Sequence, residues 1–175
     1  MKQVKHLVLG AVIGIVVTAA VGGSRAATGD DVVLREARDR AEIEALMWKY
    51  VRALDSNDPE AYAAVYTEDG QFGAGANPTK GRAALHKMVA DMRAGREAAA
   101  AKGEKRPPMY HVISNSHIEF LDKDRVRYQA YWMTVFGANG PDTPPRVAAA
   151  GRELDELVRV NGKWLIKNRN VAPAN

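Results

Sequence analysis

Apolar residues recur at helical spacing early in the chain. Ile43, Leu46, Met47, Tyr50 and Leu54 fall at i, i+3, i+4, i+7 and i+11, with Glu42, Lys49 and Arg52 off that stripe. This predicts an amphipathic first helix ending near Asp55. The charged stretch 30–40 ahead of it is either a lead-in or the helix's first turns. Asp58 suits an N-cap, Pro59 a first helical position and Glu60 the positive end of the dipole, so a second helix is predicted from there to about Thr67. Its apolar side is Tyr62, Val65 and Tyr66. A short strand around Gln71 and Phe72 and a Gly-rich loop follow. Lys80 opens a third helix, with Leu85, Met88, Val89 and Met92 on one face, closed by Gly103, Pro107 and Pro108.

The remainder alternates like β structure. Residues 109–121, 125–136, 147–160 and 163–171 are four strand-like stretches, and Asn161-Gly162 between the last two is a strong hairpin signal. Three N-terminal helices followed by these strands predict an α+β domain: a curved antiparallel sheet wrapped around the helices as a cone-shaped barrel, with a pocket between the layers.

Composition narrows the setting. A chain of 175 residues that is 46% hydrophobic suits one domain with one core. Lys2, Lys5 and His6 precede an uncharged apolar run, 7–21, and Ser24 and Ala26 offer the small residues of a cleavage site. The run is shorter than the roughly 20 residues that span a bilayer. The expected division is therefore an export signal over 1–26, a lead-in over 27–38 and the domain over 39–175. The protein is expected to be periplasmic or secreted, with no stable membrane insertion after cleavage. There is no cysteine, which excludes disulfides, a lipoprotein anchor and thiolate metal sites. The formal charge of +4 drops to roughly +1 once Lys2, Lys5 and Arg25 leave with the signal. Binding to nucleic acid loses its support.

Candidate chemistry sits at the end of the first helix and in the first long strand. A carboxylate at Asp55 orienting an imidazole at His111, with the Tyr50 phenol nearby, moves a proton on carbon without a cofactor. Strand alternation puts His111, Ile113 and Asn115 on one face. Each residue also has a structural reading: Asp55 as a turn cap, Tyr50 as core, His111 as a strand histidine. Trp132, Phe136, Tyr62, Tyr66, Phe72 and Met133 fit either a pocket lining or ordinary core. No spacing suggests a metal site.

Three stretches, Asp39-Arg40-Ala41-Glu42-Ile43, Lys49 through Asp55, and Ala64-Val65-Tyr66-Thr67-Glu68-Asp69-Gly70, resemble the opening of SnoaL-like domains of the nuclear transport factor 2-like, cystatin-like superfamily. The likeness continues through Tyr110-His111-Val112-Ile113-Ser114-Asn115, Ala150-Gly151-Arg152 and Asn161-Gly162-Lys163-Trp164, and covers about Asp39 to Val171. Within that superfamily, scytalone dehydratase and hexachlorocyclohexane dehydrochlorinase use an aspartate and histidine dyad, which Asp55 and His111 match. Tyr50 resembles an oxyanion-stabilising tyrosine of ketosteroid isomerase. That isomerase's aspartate base has no counterpart in the stretch Gln71 to Ala76. Asn115 resembles an asparagine often found four residues after the histidine, and Glu153 falls near an active-site asparagine of scytalone dehydratase.

The resemblance implies a cofactor-independent, dehydratase-like lyase or isomerase acting on a small hydrophobic molecule. Asp55, His111 and Tyr50 would be catalytic, and Asn115, Glu153, Trp132 and Phe72 would bind substrate. No metal or cofactor is implied, and a homo-oligomer is expected. The alternative is a non-catalytic module of the same fold that binds a small ligand or dimerises.

Overall fold

The computed structural model describes residues 28–173; the expected export segment and the last two residues lie outside them. The charged stretch before the apolar stripe is helical, so α1 runs Gly29–Asp55. Thr28 caps it: its hydroxyl accepts from the Asp31 N–H, and Asp31 Oδ2 accepts from the Thr28 N–H at 2.9 Å. The stripe buries Ile43, Leu46, Met47, Tyr50 and Leu54. Asp39 is buried too, because Arg159 pairs with it and Trp164 Nε1 donates to its Oδ1 at 3.3 Å.

Helix α2 (Pro59–Ala64) starts at the Asp58 cap, whose Oδ1 accepts from the Ala61 N–H at 2.9 Å. It ends before the expected Thr67, because Tyr66 and Thr67 already belong to β1 (Tyr66–Phe72). A helical spacing of tyrosines thus gives way to strand pairing, a non-local choice that overrides local propensity. The two-residue β2 (Thr79–Lys80), α3 (Arg82–Ala101), β3 (Met109–Phe120), β4 (Arg125–Phe136), β5 (Arg146–Val160) and β6 (Lys163–Asn170) complete the domain. Asn161 and Gly162, at φ 50° and 76°, make the tight β5–β6 turn.

The six strands form one open sheet in the order β2-β1-β6-β5-β4-β3. It is not wholly antiparallel, as the sequence had suggested: β1 and β6 run parallel. A parallel neighbour needs a long crossover, and α3 with the three strands after it provides one. The helices lie on the face presenting Val126, Tyr128, Ala130, Leu157, Trp164 and Ile166, and with these residues the α1 stripe and the tyrosines of α2 and β1 form one core. Among the described residues no helix is long and apolar enough to cross a membrane.

Candidate active site

Helix α1 ends on Asp55, where the helix dipole disfavours a negative charge. Two donors from one residue of β3 offset that cost. Asp55 Oδ1 accepts from the His111 backbone N–H at 3.0 Å and lies 2.7 Å from His111 Nδ1. The side chains are 10% and 17% exposed, so the pair is shielded but reachable. A carboxylate at Nδ1 fixes the proton there and leaves the Nε2 lone pair free. Among the described residues Nε2 has no protein partner.

Two cavities meet β3 on successive inward residues. His111 lines one of about 370 Å³, between the side of α1 at Met47, Trp48 and Val51 and the inner face of the sheet at Ile113, Ser116 and Tyr128. Met109 lines the other, about 310 Å³, with Asn57 two residues beyond Asp55. Tyr128 escaped the sequence reading, although it shares the inward phase of β4 with Val126 and Ala130. It is 3% exposed, and burial pushes its phenol up to about 12, so it keeps its proton and stays a hydrogen-bond donor.

Asn115 does not share the face of His111. Opposite β4 the β3 register shifts between Ser114 and His117, and Asn115 stands at φ 52°. This is a β-bulge: two residues oppose one, and the alternation changes phase. Asn115 therefore turns to the outer face beside His117, Gln129 and Tyr131, and Ser116 takes the inward place.

Nor does the structure bring Tyr50 to the dyad. Tyr50 is 2% exposed, its ring lies 5.5 Å from that of Tyr62, and the Arg169 guanidinium covers it at 4.1 Å. Burial raises its phenol and Arg169 opposes the shift. Arg169 holds two carboxylates, Glu153 Oε2 and Asp155 Oδ2, each at 2.5 Å, and both side chains are wholly buried. Glu153 is thus a core ion-pair partner and lines neither cavity beside the dyad. Burial raises both acids, Asp155 to about 7, and the guanidinium pulls them back. Two ionised carboxylates on one buried cation would leave a net negative charge, and a retained proton removes it.

The other two expected binding residues also stand away from the dyad. Trp132 lies flat over Gly151, where a Cβ would come within 2.9 Å of its ring, and its Nε1 donates to the carbonyls of Val171 (2.9 Å) and Arg152 (3.1 Å). Phe72 packs at the edge of the core. Neither they nor Tyr50 line the two cavities beside the dyad. Among the described residues no three metal-ligating side chains converge.

The comparisons agree with this architecture. The family profile described as SnoaL-like domain matches residues 35–170. No curated protein matches the sequence. Among solved structures, the chain is similar to a protein from Novosphingobium aromaticivorans described as NTF2-like with a cystatin-like fold (20% identity, 85% of this chain and 91% of that one, TM-score 0.66). It is also similar to a putative scytalone dehydratase from the same organism (24% identity, 79% and 85%, TM-score 0.63) and to LinA (19% identity, 79% and 87%, TM-score 0.62). At these identities the likeness is one of fold.

Proposed function

Because the chain belongs to the SnoaL-like domain family, we propose that it is a dehydratase-like lyase or isomerase that moves a proton on carbon with the Asp55 and His111 pair and no cofactor. The observation that carries this reading is the double acceptance by Asp55 Oδ1, from the backbone N–H and the Nδ1 side of His111. That arrangement holds the ring in one tautomer with Nε2 toward the cavity side, which is what a general base needs. The likeness in fold to a putative scytalone dehydratase supports the same reaction class.

In the proposed reaction His111 Nε2 takes a proton from carbon next to an activating carbonyl, and Asp55 stabilises the resulting imidazolium. The electron pair moves into an enolate, whose oxygen accepts a hydrogen bond from the protonated Tyr128. Return of the pair expels a leaving group from the adjacent carbon, with His111 giving up its proton to it, or reprotonation elsewhere shifts a double bond. Tyr128 thus supplies the phenol that the sequence reading sought in Tyr50.

The test screens hydroxylated polyketide, steroid and terpenoid compounds in D₂O and follows both product and deuterium incorporation by NMR. The native chain should exchange or eliminate, and the Asp55→Asn, His111→Ala double variant should do neither. Turnover unchanged in that variant refutes the mechanism, whereas binding without exchange in the native protein favours a ligand-binding module.

A further inference from the structure

The cavity beyond the dyad has a composition that the proton-transfer reading does not use. Asn57, Arg96, Arg106, Met109, Phe136 and Arg146 surround about 310 Å³ between the end of α1, α3 and the open ends of β3 and β4. This lies at the lower end of the roughly 300–1,000 Å³ typical of small-molecule sites. Three arginines, Arg96, Arg106 and Arg146, line it. Arg96 donates to the Pro107 carbonyl at 3.1 Å, and Arg146 stacks over the Phe136 ring at 4.9 Å. Among the described residues no carboxylate pairs with Arg96, Arg106 or Arg146. Elsewhere on the surface, Arg82, Arg125 and Arg127 each hold a carboxylate within 3.0 Å.

Asn57 stands at the wall of the same cavity. Asn57 is 7% exposed, and its Oδ1 has no hydrogen-bond partner. Its φ of 53° fixes the backbone in the left-handed region, directly after the helix that delivers Asp55. A buried amide oxygen left unpaired costs free energy unless a donor meets it. The walls otherwise are Met92, Pro107, Met109 and Phe136, which are apolar.

We propose that this cavity binds the carboxylate end of an anionic, ring- or chain-bearing substrate, with the arginines holding the anion. Assigning the ligand as the substrate rests on the proton-transfer reading; the binding itself does not. The spacing suits both. Met109 and His111 are adjacent inward residues of β3, about 7 Å apart along an extended strand. A carboxylate at the arginines therefore places a carbon a few bonds away beside His111. Guanidinium and carboxylate groups match in charge and in fork geometry, so an ionised acid should be preferred over its neutral amide.

Calorimetric titration of the full chain at low salt with 3-phenylpropanoate, and with 3-phenylpropanamide as the neutral control, tests the proposal. The acid should bind at least about tenfold more tightly than the amide, and the Arg106→Gln, Arg146→Gln double variant should erase that preference. Equal affinity for acid and amide, a preference that survives in the double variant, or no binding of the acid up to about 20 mM overturns it. His111→Ala should leave acid binding intact. A variant that binds normally but still turns over substrate would overturn the dyad and spare the anion site.

Discussion

Asp155 gives the interior a pH dependence of unusual sign. Its carboxyl, ordinarily at 3.8, is pushed up to about 7 because burial outweighs the attraction of Arg169. Between those limits the unfolded chain has lost a proton that the folded chain keeps, so folding becomes less favourable as pH rises. The stabilising contribution is complete below the unfolded value and is gone above about 7. At 1.36 kcal/mol per pKa unit the ceiling is about 4 kcal/mol, or on the order of 10 °C in Tm for a chain of this size. Sharing of the proton with Glu153, which shifts the same way, lowers the part belonging to Asp155. The surface acids with lowered values, Asp31, Glu60, Asp69 and Asp122, act in the opposite direction but at pH below the ordinary carboxylate range, outside this window. Thermal unfolding followed by circular dichroism between pH 5 and 7.5 should therefore show Tm falling by several degrees. In Asp155→Asn, which keeps the shape and the Oδ1 acceptor for the Asn170 N–H while giving up the oxygen that Arg169 holds, most of that slope should disappear. A Tm that is flat or rises over this range, or a slope unchanged in the variant, would refute a proton held on the buried pair.

Three further outcomes are expected. Tyr128→Phe should lower kcat about 100-fold on any substrate found, by removing one oxyanion donor, with a much smaller change in Tm; kinetics and a melting curve on the same preparation check it. Asp39→Ala should cost about 2–3 kcal/mol in urea unfolding, because it strips Arg159 and Trp164 Nε1 of a shared buried acceptor. Gly151→Ala puts a Cβ against backed-up ring atoms of Trp132 and should destabilise by about 1–3 kcal/mol while shifting the tryptophan emission.

Local signals carried the first helix, the Asp58 cap, the Asn161-Gly162 turn and the four long strands, because spacing and turn chemistry act within a few residues. The Asp55 and His111 contact spans 56 residues, and only likeness to a family brought the two together in advance. What escaped was non-local. Pairing of β1 with β6 drew Tyr66 and Thr67 out of the predicted helix. The ion triad joins residues from two strands, and its one sequence trace was overlooked: Glu153 and Asp155 share the strand phase of the buried Leu157, a place where acids need a buried partner.

Two bulges decide what the inner face of the sheet presents. In strict alternation β3 would turn Asn115 inward, and β6, with Trp164 and Ile166 inward, would continue with Asn168 and turn Arg169 to solvent. The shift in β3 between Ser114 and His117 substitutes Ser116, which lines the His111 cavity with Tyr128. The shift opposite Glu156 and Leu157 leaves Lys167 unpaired in β6, sends Asn168 outward to Glu156 at 2.8 Å and swings Arg169 in against Asp155 and Glu153. Without the second shift both acids would be buried with no cation, a cost of several kcal/mol for each charge. The charged interior and the serine in the cavity wall therefore depend on single inserted residues. Residue-type patterning alone misses them, because a bulge leaves composition unchanged and alters only which side of the sheet each later residue faces.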